Sequence, residues 1–137
     1  MKLLILDTSH FGYVLDHKTP VGEEVKDNEK KGDFKNCLSV FITIEKSDQE
    51  EMLNKVSKDI VEIALKNNRK TIFINPFAHL SSNLANPKQA ISLVKILETT
   101  LMKNKSLKII RGAFGWYKQF DVKIEGHNNS QIFREYN

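Results

Sequence analysis

The run Thr71-Ile72-Phe73-Ile74 constrains this chain more than any other stretch. Its unbroken apolar and β-branched character reads as a strand buried on both faces, the central strand of an α/β sheet. Pro76 then ends the ladder, because proline has no N–H to give. Phe77-Ala78-His79 and the pair Ser81-Ser82 follow, and a helix opens only at Asn86-Pro87. A loop leaving the carboxyl end of a central strand lies where open α/β sheets place their ligands. The loop Pro76–Ser82 is therefore expected to floor a small reaction pocket.

The other elements fall around this one. Lys2–Asp7 reads as a first strand and Phe11–Leu15 as its returning hairpin partner, weakened by Gly12. The polar stretch from Asp16 to Asp33, with Pro20, Gly22 and Gly32, reads as a long surface loop with room for one helical turn. Leu38, Val40, Ile42 and Ile44 alternate with Ser39, Phe41 and Thr43, the pattern of a half-buried strand. Ser47 to Glu50 has the form of a capping box before a helix over Gln49–Asn67, with Leu53, Val56, Ile60, Ile63 and Ala64 inward. Asn86 caps a second helix, with Pro87 at its first position, Gln89 closing the box, and Ala90, Leu93, Val94, Leu97 and Leu101 as its stripe. Ser106–Ile110 and Trp116–Ile124 read as strands, and the tail after Gly126 as the start of a short helix. The predicted fold is α/β: one mixed β-sheet with two packed helices, in a single domain spanning 1–137.

Composition narrows the function classes. Hydrophobic residues make up 40% of the 137 and charged residues 28%, as in globular chains with a core. No apolar run approaches the roughly 18 residues of a membrane span, so a cytoplasmic setting is the default expectation. Cys37 is alone, which excludes a disulfide framework and a cysteine metal cluster. The four histidines lack metal-ligand spacing, and neither a phosphate loop nor a dinucleotide fingerprint occurs, so no cofactor is expected. A net charge of +4 permits an RNA partner without requiring one.

Few residues remain for chemistry. Lys118 shares strand parity with Phe120, Val122 and Ile124, so it points to the apolar side while Asp121 and Lys123 point to water. It either snorkels past the sheet edge or reaches a pocket. His79 is either a satisfied loop histidine or a polar tip lining a ligand site. His127, after a glycine, reads as a surface residue. Ser81 and Ser82 would need an activating base to be nucleophiles and read more simply as turn residues. Phe114, Trp116 and Tyr117, around Gly115, are either core packing or a platform for a nucleobase.

Taken together, Asn75-Pro76-Phe77-Ala78-His79-Leu80-Ser81-Ser82, then Ala113-Phe114-Gly115-Trp116-Tyr117-Lys118 and Gly126-His127, closely resemble the N-terminal editing domain of archaeal threonyl-tRNA synthetase. The resemblance runs over nearly the whole chain. It implies the D-aminoacyl-tRNA deacylase fold and a hydrolase that removes serine wrongly attached to tRNA(Thr). It further implies that the backbone of Pro76, Phe77, Ala78 and His79 holds the aminoacyl end of the tRNA. Lys118 would border the seryl side chain and help place the attacking water, with His79 the second catalytic candidate. Tyr117 and Ile44 would bind substrate, Ile44 as an apolar wall for the terminal adenine. Gln131 falls where the family carries a glutamate in the same substrate site, and as an amide it brings no negative charge. Other departures are Asp7-Thr8-Ser9 in place of His-Ser-Asp, and Asn128 in place of proline after Gly-His. The partners implied are the serine-charged 3′ end of tRNA(Thr), a second copy in a homodimer, and the catalytic and anticodon-binding domains of a synthetase in cis or in trans, with no membrane. Two alternatives are a D-aminoacyl-tRNA deacylase and a tRNA-binding or dimerisation module without activity.

Overall fold

The computed structural model describes residues 1–137 as one mixed six-stranded sheet with two helices against it. The strands are β1 (Lys2–Lys18), β2 (Lys31–Thr43), β3 (Thr71–Pro76), β4 (Lys108–Arg111), β5 (Trp116–Ile124) and β6 (Gln131–Glu135). The helices are α1 (Leu53–Lys66) and α2 (Pro87–Met102). The sheet runs β4-β3-β2-β1-β5, and β6 pairs with the first half of β1. Neighbours of β3 are parallel, as the helical crossovers require, and the β1 pairings are antiparallel.

β1 organises the sheet, and its length corrects the first sequence expectation. Lys2–Lys18 is a single strand, not a hairpin. One side pairs with β2 from Lys2↔Thr43 to Val14↔Lys31. The other side pairs first with β6, from Lys2↔Glu135 to Leu6↔Gln131, and then with β5. With partners on both sides, the 8–10 segment has no reason to turn, and Gly12 is accommodated inside the strand. The β5 register slips between Thr8 and His10 and again between Leu15 and His17. Such bulges bend and twist a strand, so the far half of the sheet curls over its own face.

The tail is likewise a strand rather than a short helix: β6 pairs with an edge of β1 that would otherwise be open. The expected loop from Asp16 to Asp33 is shorter, because β1 and β2 extend into it. One 3-10 turn remains, at Asp27–Glu29.

Two cores sit on the two faces. Leu3, Ile5, Leu38, Val40, Ile42, Ile72 and Ile74 meet Leu53, Val56, Ile60, Ile63 and Ala64 of α1 and Ala90, Leu93, Val94, Leu97 and Leu101 of α2. Each fully buried aliphatic side chain here contributes roughly 1.5–3 kcal/mol relative to exposure. On the other face, Phe11, Tyr13, Leu15, Cys37, Phe41 and Phe73 form a second, aromatic core. This face explains why β2 is not half-buried as its alternation predicts. Ser39, Phe41 and Thr43 are buried as well, under the aromatic core and the bend that follows β3.

Helix starts differ in detail from the sequence reading. Ser47 is not a cap. Gln49 caps a 3-10 turn over Glu50–Met52 that leads into α1, and its amide contacts Met52 Sδ at 3.3 Å. Asn86 does cap α2, its Oδ1 accepting the Gln89 N–H at 2.9 Å. Gln89 does not close a box, because its Nε2 donates instead to the carbonyls of Lys46 and Asp48.

Candidate active site

β3 delivers the chain to the site. Its last residue, Pro76, lies opposite Ile42, and the Phe77 amide donates to the Ile42 carbonyl at 2.9 Å. Phe77 stays extended and Ala78–Leu80 forms a 3-10 turn. The Thr43 hydroxyl sits inside this bend. It donates to the Phe77 carbonyl and accepts the Leu80 N–H at 3.3 Å. Beyond the turn, Ser81 Oγ donates to Glu45 Oε1 at 2.6 Å and accepts the Asn83 amide at 3.0 Å, so this serine has the turn role its sequence context suggests. Glu45 also holds the Met1 ammonium at 2.7 Å and Lys2 at 3.1 Å. The Met1 ammonium and the Ser81 hydroxyl pull the Glu45 pKa down to about 2, against the effect of burial. The bend is thus pinned from inside by Thr43 and from outside by Glu45.

The facing wall comes from the turn before β5. Gly115 has φ +77°, in the left-handed region, and a Cβ there would lie 2.6 Å from Gly22 Cα. Glycine is therefore required twice over, by conformation and by the close approach of the β1–β2 loop. Thr19 locks the approach, its amide and hydroxyl donating to the Gly115 carbonyl at 3.0 and 2.6 Å.

Between these walls lies a cavity of about 410 Å³. Ile42, Thr43 and Ile44 line it from β2 and its extension, Pro76, Phe77, Ala78 and His79 from the bend, and Phe114 to Lys118 with Phe120 from the facing wall. Ala90 and Val94 of α2, the Leu84–Pro87 approach to that helix, and Thr19 and Val21 of the β1–β2 loop also contribute. The lining is mainly apolar with a few polar groups, the usual character of a small-ligand site. Lys118 is its half-buried cation. Burial pushes the Lys118 ammonium down to about 8, the Glu23 carboxylate opposing and the Arg111 guanidinium reinforcing the shift. His79 is exposed at the rim, its ring 4.9 Å from that of Phe77 in an edge arrangement. Tyr117 is 60% exposed and is among the lining residues.

Lys118, His79, Pro76, Phe77, Ala78, Tyr117 and Ile44 thus converge on one cavity. Gln131 does not join them. It stands on β6 opposite Leu6, and its Nε2 donates to the Glu125 carbonyl at 3.3 Å. The reason is the strand pairing of the tail, which carries Gln131 along the other half of β1. Parity did place Lys118 with Phe120, Val122 and Ile124, but that face is the curled aromatic side, and Phe120 and Ile124 remain 40% and 43% exposed. His127 is more than a surface residue: its Nε2 lies 2.6 Å from Asp7 Oδ2, and Arg69 Nε donates to Asp7 Oδ1 at 2.5 Å.

Sequence reasoning missed Thr19, Glu23, Thr43 and Arg111. Thr43 carried a signal in its shared parity with Phe41. Glu23 carried none, because its partner Arg111 is 88 positions away.

The fold is D-aminoacyl-tRNA deacylase-like. A solved structure of the c-Myc DNA Unwinding Element Binding Protein superposes with a TM-score of 0.72 over 100% of this chain and 99% of that one. At 16% sequence identity this likeness concerns the fold alone. The chain belongs to the archaea-specific editing domain of threonyl-tRNA synthetase, whose family profile matches residues 1–136. It is 38% identical over 133 residues to a threonine–tRNA ligase of Staphylothermus marinus, covering 96% of this chain and 22% of that protein. It is 39% identical over 134 residues to a threonine–tRNA ligase editing subunit of Saccharolobus solfataricus, covering 98% and 34%. The chain therefore spans between about a fifth and a third of the length of these relatives.

Proposed function

We propose that this domain hydrolyses the ester of L-serine mischarged on tRNA(Thr). The observation that carries the reading is the placement of Lys118 across a small cavity from the Pro76–His79 bend. Threonine and serine differ by one methyl group. A synthetic site rejects the smaller amino acid by only about 1–3 kcal/mol, so a second, hydrolytic site is the usual remedy.

Ester hydrolysis needs a placed water, a proton acceptor and donors for the developing oxyanion. In this reading the backbone amides of Ala78 and His79 are the donors, because the Phe77 amide is committed to the Ile42 carbonyl, and Thr43 holds the bend in place. The 2′-hydroxyl of the terminal ribose assists the water, making catalysis RNA-assisted. Lys118 supplies charge and a hydrogen bond rather than a covalent bond, and no cofactor takes part. Ile44 and the neighbouring apolar wall receive the adenine, and Tyr117 closes the mouth. The partners in this reading are the tRNA, a second copy of the domain, and the remaining synthetase domains in cis or in trans.

The test is deacylation of Ser-tRNA(Thr) and Thr-tRNA(Thr) side by side. Serine should be released and threonine retained. Lys118→Met should slow serine release by ~10²-fold, the scale of losing one electrostatic contact to a transition state. His79→Ala should cost less, because the bend acts through its main chain. An unchanged rate in Lys118→Met, or a larger loss in His79→Ala, overturns these roles. Release of D-tyrosine from its tRNA in preference to L-serine would favour the D-aminoacyl reading.

A further inference from the structure

The β1–β2 loop bears on the site through Glu23. The Glu23 amide donates to the Phe114 carbonyl at 2.9 Å, and its Oε2 accepts the Phe114 N–H at 2.7 Å. Its backbone carbonyl accepts the Trp116 indole N–H at 2.8 Å. Arg111 at the end of β4 grips the same carboxylate with two nitrogens, at 2.6 and 3.1 Å, while its Nε donates to Glu98 of α2 at 2.7 Å. One half-buried carboxylate thus ties together the loop, β4 and the turn that leads into Lys118. Despite its burial, Arg111 and the Phe114 amide keep this carboxyl below its ordinary pKa, so it is charged at neutral pH.

We propose that Glu23 is a positioning residue for Lys118: its carboxylate and main chain fix the turn from which the lysine enters the cavity, and it places a negative charge against that turn. The proposal rests on the role given to Lys118 above. Among titratable and charged groups, His79 of the bend and the neighbouring Tyr117 line the same cavity as Lys118, and Glu23 of the loop and Arg111 of β4 act on it electrostatically. Of these, Glu23 is the carboxylate, and it opposes both burial and Arg111. Replacing it by glutamine retains an oxygen for the Phe114 amide and removes the charge, leaving Arg111 less compensated. Both consequences disfavour a second cation nearby.

The experiment is an NMR titration of the Lys118 side chain in lysine-labelled protein, its resonance assigned by its loss in Lys118→Met. It is paired with the pH profile of single-turnover Ser-tRNA(Thr) deacylation, in wild type and in Glu23→Gln. The Trp116 indole resonance reports whether the turn is intact. In Glu23→Gln the Lys118 midpoint should fall by about 0.5 or more, and the alkaline limb of the rate profile should move with it. Glu98→Gln, which touches Arg111 but not the turn, should shift the midpoint less. An unmoved midpoint in a folded Glu23→Gln protein overturns the proposal. Should that variant not fold, Glu23→Asp decides. It keeps the charge on a shorter stem, so the midpoint should stay near wild type while the rate falls, and a midpoint lowered well below wild type, or an unchanged rate, overturns the proposal. If Lys118→Met deacylates normally while the midpoint still moves in Glu23→Gln, the catalytic role of Lys118 fails and the control of its ammonium by Glu23 stands.

Discussion

Phe120 on β5 packs against Phe41 on β2, their ring centroids 5.6 Å apart, although β1 lies between the two strands in the sheet. Phe11 on β1 joins both, at 5.8 Å from Phe120 and 6.0 Å from Phe41. A flat sheet would hold these outer strands about 10 Å apart. The curl of β1 at its bulges is what brings Lys118, two residues before Phe120, over the end of β2. Phe120→Ala should therefore loosen the facing wall. We expect a loss of about 1–2 kcal/mol in chemical denaturation, modest because the ring is 40% exposed, and a weaker KM for aminoacyl-tRNA.

The two hydrogen bonds of Thr43 hold the bend at its centre. Thr43→Val keeps the shape and removes both, leaving the Leu80 amide and the Phe77 carbonyl to find other partners. The expected cost is about 1–2 kcal/mol of stability. Deacylation should fall by about tenfold or more, because the amides proposed to hold the oxyanion lie inside this bend. Equal losses of stability and activity in Thr43→Ser, which restores the hydroxyl, would count against the hydrogen bonds as the cause.

Lys118 predicts opposite pH trends for activity and stability. Its ammonium, lowered from 10.5 to about 8 by burial, deprotonates in the folded state before it does in the unfolded chain. Between those values the unfolded chain binds more protons, so this group makes the fold more stable as pH rises through the window. If the charged form acts in hydrolysis, the enzymatic rate, corrected for spontaneous ester cleavage, should fall above about pH 8, approaching tenfold per pH unit. Lys118→Met should abolish both trends. Single-turnover rates and denaturation midpoints over the same pH series provide the check.

The His127–Asp7 pair latches the chain between β5 and β6. The His127 pKa is raised, first by the hydrogen bond to the Asn128 carbonyl and then by Asp7. Its contribution to stability is therefore complete below the ordinary histidine range and is lost as pH rises through the raised pKa. The main-chain bonds it secures are Asp7 amide to Ser130 carbonyl and Glu125 amide to Asp7 carbonyl, both 2.8 Å. Hydrogen exchange at these two amides should speed up with pH beyond the intrinsic rate. His127→Gln should remove that excess and leave deacylation unchanged, since this latch lies outside the cavity lining.

Local signals explain which elements were legible in the sequence. The bounds of β5, the stripes of α1 and α2 and the Asn86 cap depend on residues a few positions apart, and periodicity reports those directly. The continuous run of β1 through residues 8–10, where a hairpin is expected from the sequence, the buried second face of β2 and the strand in the tail all depend on β1 having partners on both sides along its length. Nothing local encodes that. Gln131 stands apart from the cavity lining for the same reason: its position follows from the pairing of β6 with β1.

By itself, then, the sequence determined an α/β sheet, its helices, a proline-ended strand leading into a site loop, and seven of the residues that line one cavity. The sheet, the helices and the site loop are encoded in period, parity and turn chemistry, whereas the set of seven site residues came from the resemblance of the motif blocks to the editing-domain family. Only the tertiary structure decided that β1 curls, that Thr43 and Glu45 pin the bend, and that Glu23 and Arg111 stand behind Lys118. These depend on contacts between residues dozens of positions apart, and their geometry is set by the bulges and packing of the whole sheet.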